Sequence, residues 1–227
     1  MNKDFEAFKK DISWFISNTD KVEFINKGEI IQLSEEFKNT YPFLTGLILK
    51  ARVLNLTVNN ELYKLFSWTN KDNLSCGWLN KIEENTASEL NLIEEHKLLL
   101  SEIGGIQESY KRPKYSLCNN QNFMFIGSEC YLGLDGWDDL YIQLCESEDK
   151  KPIDFKDFIC FVEEANGNVT LYDPKTKEVM LYAHDHCFDN VECVENQPEY
   201  TFYKINEVDS FVDYVETLAK EWKAIVI

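Results

Sequence analysis

One stretch, residues 158–188, constrains the fold of this chain more than any other, because its apolar residues form three short runs separated by two turn signals. The second and third runs alternate apolar with polar or amphipathic residues at period two, which is typical of a half-buried strand. The pair Asn166–Gly167 tolerates positive φ values in a tight turn, and Pro174 fixes the φ that a type I turn needs. The stretch therefore predicts a meander of three strands.

Apolar residues at steps of three and four predict helices on both sides of this meander. The helix predicted at residues 86–103 ends at Gly104–Gly105, because a left-handed C-cap favours a residue without Cβ. The last helix is predicted to begin after a cap at Asp209 or Ser210. Further helices are predicted at residues 5–16, from Ser34, at 43–54 and from Val58, and further strands at 123–126, 140–145 and 200–205.

The order of these elements predicts an α+β fold with a mostly antiparallel mixed sheet flanked by helices. The chain has 227 residues, which is enough for one core or for a core with an extension. We place a boundary near Ser75. It separates a helical N-terminal extension, residues 1–75, from an α+β domain, residues 76–227.

The formal net charge of −17 argues against nucleic acid and anionic membranes as direct partners. It leaves two interpretations open: solubility alone, or an acidic face that attracts a basic partner such as a nuclease. The sequence has no apolar run of membrane-spanning length and no signal-peptide pattern at its start, and its seven cysteines are scattered. We therefore expect a cytoplasmic protein with buried thiols.

Four segments follow one another in an order known from one protein family. Residues 98–105 end a hydrophobic helix in Gly–Gly, and residues 161–173 place an Asn–Gly turn before a strand that ends in aspartate. Residues 179–186 run from a strand into Asp–His, and residues 208–222 form a closing amphipathic helix. Together they resemble the SMI1/KNR4 family, also called the SUKH superfamily.

The resemblance implies an SMI1/KNR4-like fold and a role that is not enzymatic. Many bacterial members look like immunity proteins, which bind and neutralise polymorphic toxins, and many of those toxins are nucleases. Eukaryotic members are linked to cell-wall regulation and signalling scaffolds. We therefore expect a protein-binding domain that neutralises a basic toxin, without a cofactor. A regulatory scaffold that binds host proteins is the alternative, and a metal-dependent hydrolase is a less favoured one.

Charged and aromatic residues near the meander are the candidates for contacts with this partner. Carboxylates on an exposed side of the sheet would speed association with a basic protein, and tryptophan is enriched in interface hot spots. The candidate partner-binding residues are Trp137, Asp138, Asp139, Glu163, Glu164, Asp173, Asp185 and His186. For Trp137 and for Trp68, packing in the core is the favoured interpretation, and for the paired carboxylates a solvated face is favoured.

A metal site is a more specific alternative for the segment that follows the third predicted strand. His184, His186, Cys187 and Cys193 offer imidazole and thiolate groups, which zinc prefers. Their spacing fits no standard closed zinc site, so two surface or hydrogen-bonded histidines beside a buried thiol are the favoured interpretation, and no metal is expected.

A nucleophilic cysteine is a further alternative. Cys130, Cys145 or Cys187 could act as a nucleophile only if a base and a group that orients the base lie nearby. Because the sequence shows no glycine-framed cysteine turn, this interpretation is not favoured.

Overall fold

The structure is a computed structural model that describes residues 2–27, 31–83, 90–114, 117, 121–185 and 190–227. The helices of this described part are α1 (Lys3–Asp11), α2 (Glu35–Thr40), α3 (Pro42–Ile48), α4 (Glu94–Ile103), α5 (Asp138–Ser147) and α6 (Phe211–Ile225). The first strands are β1 (Val22–Lys27), β2 (Arg52–Val58), β3 (Glu61–Thr69), β4 (Ser75–Ile82), β5 (Gly105–Tyr110) and β6 (Gln121–Met124). They are followed by β7 (Tyr131–Leu132), β8 (Ile159–Glu164), β9 (Val169–Tyr172), β10 (Val179–Tyr182), β11 (Val191–Cys193) and β12 (Phe202–Ile205).

All of these strands belong to one sheet, in the order β1-β2-β3-β4-β5-β6-β8-β9-β10-β12-β11, with β7 paired to β8 beside this path. Each strand pairing in the described part of the chain is antiparallel. Most neighbours in the sheet are also neighbours in the sequence. Short connections join β2 to β3, β3 to β4, β8 to β9 and β9 to β10, whereas helices lie between β1 and β2 and between β4 and β5. The predicted α+β fold with an antiparallel sheet flanked by helices is confirmed at this level.

Helices cover both faces of the sheet. On one face, α2, α3, α4 and α6 enclose the largest hydrophobic cluster, which reaches from β2 to β12. On the other face, α1 covers β2 to β5, and α5 covers β8, β9, β10 and β12. Side chains of successive strand residues point to opposite faces, so Leu171 packs under α5 while Tyr172 packs on the larger cluster.

The predicted meander is confirmed as β8, β9 and β10, with pairs that include Cys160–Leu171 and Leu171–Met180. Its first turn contains Gly167 at φ 87°, the positive value that the Asn–Gly pair predicts. The glycine cap is also confirmed, since Gly104 has φ 75° directly after α4. Local turn chemistry thus placed these elements correctly.

The last helix, α6, joins the two halves of the chain. Ser210 and Asp213 form a capping box at its start, as the sequence predicts for Ser210. The buried carboxylate of Glu216 accepts hydrogen bonds from the backbone N–H groups of Phe43 (2.8 Å) and Leu44 (2.9 Å) at the start of α3. After α6, the N–H of Ile227 donates to the carbonyl of Thr69 at 3.0 Å, so the end of the helix is tied to β3.

The prediction of a helical N-terminal extension is wrong for residues 52–69, which form β2 and β3. β2 buries residues on both of its faces, so its sequence lacks the alternation that identifies a half-buried strand. Helices α1, α2 and α3 do lie in this part of the chain, and α2 begins after Ser34 as predicted. The boundary placed after Ser75 falls at the first residue of β4, which pairs with β3 from Leu62–Ile82 to Thr69–Ser75.

The strand predicted at residues 140–145 is also wrong, because this segment belongs to α5. Tyr141 and Cys145 are fully buried, and their spacing of four residues is that of a helix face. Asp138 and Asp139 occupy the first turn of α5, where the helix dipole stabilises acidic residues. In the sequence, this acidic pair is typical of the start of a helix, and the strand prediction did not take it into account.

Two predicted helices are shorter in the structure than in the sequence analysis. α1 ends at Asp11, and residues 12–16 form a turn. α4 begins at Glu94, residues 90–93 of the predicted helix are not helical, and residues 86–89 lie outside the described part of the chain. None of the described helices is both long and apolar enough to cross a membrane.

Candidate functional site

The start of α5 and the end of β10 bring several of the predicted partner-binding residues together. The indole ring of Trp137 stacks on the imidazole of His184, with ring centroids 3.7 Å apart and an angle of 21° between the planes. Because Trp137 precedes α5 directly and His184 closely follows β10, the stack joins the acidic first turn of α5 to the segment after β10. We call this region the Trp137 surface, formed by Asp135, Trp137, Asp138, Asp139, His184 and Asp185.

The turn between β8 and β9 supports the Trp137 surface from the side. A Cβ atom on Gly167 would lie 3.0 Å from Nε1 and 3.1 Å from Cζ2 of Trp137, so the indole packs directly on the glycine backbone. In the same turn, the amide Nδ2 of Asn166 donates to Oδ2 of Asp185 at 3.4 Å. The position of the tryptophan therefore depends on a turn that is remote in the sequence and that contains a residue without a side chain.

The substitution Gly167→Ala is expected to lower the free energy of unfolding by about 2 kcal/mol, because it combines backbone strain at positive φ with a clash against Trp137. Gly136→Ala is the matched control, since Gly136 also has positive φ (93°), but apart from its two chain neighbours no residue has an atom within 4 Å of the position that a Cβ atom would occupy. The control is expected to lose only about 1 kcal/mol. Urea unfolding of both variants measures the difference, and equal losses would show that Trp137 does not rest on Gly167.

The charges of the Trp137 surface are mostly not compensated within the described part of the chain. No ion pair between described residues involves Asp135, Asp138 or Asp139. Asp135 and Asp139 are exposed, and Asp138 is half-buried. The surface thus presents carboxylates around one half-buried aromatic side chain, together with the exposed Leu140, of which 37% is accessible.

The other predicted partner-binding residues lie elsewhere or are not described. Glu163 is half-buried and accepts hydrogen bonds from Nδ2 of Asn122 (2.6 Å) and from the hydroxyl of Tyr131 (2.9 Å). Glu164 is buried, so the prediction that both glutamates form a solvated face is wrong for Glu164. Its position inside the sheet explains this, since Glu164 lies opposite Gln121 of β6 while β9 follows on its other side.

Asp173 belongs to the opposite end of β9 from the Trp137 surface. Its carboxylate accepts hydrogen bonds from the N–H of Lys175 (2.8 Å) and the hydroxyl of Thr176 (3.1 Å), which is the role of an aspartate that closes a turn. His186 lies outside the described residues. The structure therefore brings Trp137, Asp138, Asp139 and Asp185 together, and it separates Asp173 from them.

Four of the five described thiols, all except the exposed Cys193, are poor nucleophiles. Burial raises the pKa of Cys130, Cys145 and Cys160, and it raises the pKa of Cys76 to about 11. Because the thiolate is the reactive form, these side chains stay protonated near neutral pH. Cys187, the third candidate nucleophile, lies outside the described residues.

Metal-ligating side chains do not cluster in the described part of the chain, where no group of three or more His, Cys, Asp or Glu residues could hold a metal ion. His186 and Cys187 of the predicted metal set lie outside this part. His96 is fully buried: its Nε2 lies 2.7 Å from the carbonyl oxygen of Phe125, and its Nδ1 lies 3.2 Å from the hydroxyl of Tyr172. It is therefore a core histidine.

Trp68 is likewise a core residue, which is the interpretation that the sequence favours. It is 2% exposed, and its indole N–H donates to the carbonyl of Leu47 at 2.9 Å. Its polar atom is therefore satisfied inside the protein, and Trp68 takes no part in the Trp137 surface.

No family model, curated protein or solved structure matches this chain. The resemblance to the SMI1/KNR4 family therefore stays an interpretation of the four sequence segments. The site has to be judged by its own residues, their charges and their contacts.

Sequence analysis missed a second polar region, on the same face of the sheet as α1 and α5. A groove of about 600 Å³ lies beside the C-terminal end of α1, and Trp14 stands at its rim. Trp14 is 70% exposed. The signal was present in the sequence, because Trp14 falls outside the apolar stripe formed by Phe5, Phe8 and Ile12.

Proposed function

We propose that this chain is a non-enzymatic protein-binding domain that neutralises a basic toxin by binding it, in the manner of an SMI1/KNR4-type immunity protein. The observation that carries the proposal is the Trp137 surface, where Asp135, Asp138 and Asp139, which form no ion pair with a described residue, lie close to an aromatic side chain in the sequence and the fold. The net charge of −17 extends the same electrostatic preference to the whole molecule. The toxin as the kind of partner comes from the family resemblance.

Aromatic and acidic groups would have different tasks in such a complex. A half-buried tryptophan is a suitable anchor, since hot spots are enriched in tryptophan and lie in patches that lose their water on binding. The surrounding carboxylates would attract a basic partner from a distance and raise the association rate. A nuclease toxin would fit this surface, because the cleft that binds its nucleic acid is basic.

A test of the immunity role is to mix this chain with a basic toxin domain whose gene neighbours its own. We expect a one-to-one complex whose association slows as salt is added, together with protection of cells that produce the toxin. The absence of both binding and protection would contradict the immunity role for that pair. Weak binding to several host proteins, without protection, would favour the regulatory scaffold instead.

The double variant Asp138→Asn/Asp139→Asn is expected to slow association with the toxin about tenfold at low salt, because it removes two charges from the contact surface. The matched control is Glu36→Gln/Asp72→Asn, which removes two exposed charges elsewhere and leaves the same net charge. Stopped-flow measurement of the association rate compares the two. Equal slowing would assign the effect to total charge and would contradict the Trp137 surface as the contact.

A further inference from the structure

The sheet opens between β5 and β6. These strands share the pair Ile106–Met124, while at the other end of β6 the contact to β5 consists of the side chains of Ser109 and Gln121, which hydrogen-bond at 3.0 Å. The groove beside α1 lies at this opening. We call it the Trp14 groove, lined by Asp11, Ile12, Trp14, Glu108, Ser109, Lys111, Arg112, Gln121, Asn122 and Ala165. Its volume of about 600 Å³ is that of an ordinary ligand site.

Trp14 forms an aromatic wall of the groove. Its Nε1–H donates to Oε1 of Glu108 at 3.3 Å, so the indole lies beside the carboxylate although 70% of the side chain is exposed. An indole face is the best aromatic partner for a cation. The exposed ring is therefore accessible to a cationic ligand that also contacts Glu108.

Glu108 is the acidic group of the groove. Burial raises the pKa of its carboxyl group, which means that the carboxylate has lost part of its hydration. A cation placed against Glu108 would compensate for this lost hydration. The carboxylate and the indole adjoin each other, so one planar cation could contact both.

The remaining charges of the groove are of two kinds. Asp11 and Lys111 satisfy each other, because Asp11 accepts a hydrogen bond from the backbone N–H of Lys111 at 2.8 Å and pairs with its ammonium group. Arg112 is exposed, and its positive charge acts on both Glu108 and Asp11. Arg112 is thus a cation of the chain itself that competes for the same carboxylate.

We propose that the Trp14 groove is a cation subsite that receives a guanidinium group, such as that of an arginine side chain of the protein partner. Guanidinium is favoured over ammonium because it is planar, stacks on aromatic faces and pairs with a carboxylate through two N–H groups. That the guanidinium group belongs to a partner protein rests on the proposed function. That the groove binds a guanidinium group rests only on its own residues.

The subsite is tested on the full chain with N-acetyl-arginine amide as the probe and N-acetyl-citrulline amide as its uncharged analogue of the same shape. NMR titration follows the indole N–H of Trp14, identified from its loss in Trp14→Ala. We expect saturable binding of the arginine probe, about tenfold tighter than that of the citrulline probe. No binding of the arginine probe, or equal binding of both, would overturn the proposal.

Variants of the groove give results of opposite sign. Glu108→Gln and Trp14→Ala are each expected to weaken binding of the arginine probe about threefold or more. Because Trp14→Ala has no indole signal, its titration is followed by the backbone N–H signals near Lys111. Arg112→Gln is expected to strengthen it about twofold, since a competing cation is removed. Glu146→Gln, an exposed carboxylate on α5, is the control with the same charge change as Glu108→Gln and should leave binding unaltered. Weaker binding in Arg112→Gln would show that Arg112 supports binding of the probe instead of competing with it, and it would contradict the cation subsite.

The test distinguishes the two proposals because no toxin takes part in it. Binding of the arginine probe without binding of the toxin would support the subsite and leave the immunity role contradicted. If the chain binds the toxin but does not bind the arginine probe, the cation subsite is overturned and the immunity role is supported.

Discussion

Replacing Trp222 by alanine is expected to lower the free energy of unfolding by about 4 kcal/mol, the usual cost of removing a large aromatic side chain from a core. Trp222 is 1% exposed. Its ring packs against Trp78 at 5.2 Å and against Trp68 at 5.8 Å between centroids. Because α6 carries Trp222 while β3 and β4 carry the other two rings, the cavity would open where the helix meets the sheet.

Trp14→Ala is the matched control, since it makes the same chemical change at a side chain that is 70% exposed. We expect it to cost about 0.5 kcal/mol or less. Urea unfolding should be followed by circular dichroism rather than by fluorescence, because both variants lose a tryptophan. A loss of similar size in the two variants would contradict the role of Trp222 in the core.

A second large effect is expected from pH, through His96. Burial lowers the pKa of this histidine from 6.5 to about 4, and it outweighs the hydrogen bond to the carbonyl of Phe125, which acts in the opposite direction. In the neutral tautomer that fits both contacts, Nε2–H donates to the carbonyl of Phe125 and Nδ1 accepts from the hydroxyl of Tyr172. A protonated ring could no longer accept from the hydroxyl of Tyr172 and would carry a charge among aromatic side chains, including Phe211 stacked at 4.6 Å.

The sign follows from which state binds the proton first. As pH falls below 6.5, the unfolded chain protonates His96 while the folded chain does not, so stability decreases until the pH reaches about 4. The loss from this one group is expected to be about 3 kcal/mol. It is measured as the difference between the pH profiles of unfolding free energy for the unaltered chain and for His96→Gln, in which other titrating groups largely cancel. Parallel profiles between pH 6.5 and 4 would contradict a neutral, buried His96.

Sequence reasoning succeeded where a few neighbouring residues determine the local conformation. The turn at Asn166–Gly167, the cap at Gly104 and the capping residue Ser210 each need only their own backbone angles and side chains to be identified. The strands joined by such turns follow from period-two alternation. These elements were therefore predictable without knowledge of the rest of the molecule.

It failed where burial on both faces removed the periodic signal. Strands β2 and β3 are covered on both sides, so their apolar runs fit a buried helix equally well. The Trp137 surface could not be predicted from the sequence for a different reason. Trp137, Gly167 and His184 come from three separate segments, and only the folded sheet brings them into contact.

The position of α6 after the strands in the chain order has a consequence for synthesis on the ribosome. Strands β2 to β4 and helix α3 can form early, but the apolar face that includes Trp68 and Trp78 is covered by a helix that emerges after strands β1 to β12. The carboxylate of Glu216, which satisfies the start of α3, emerges equally late. A nascent chain of this protein therefore exposes an incomplete apolar surface until α6 leaves the exit tunnel, and a chaperone that shields apolar surface would act in that interval.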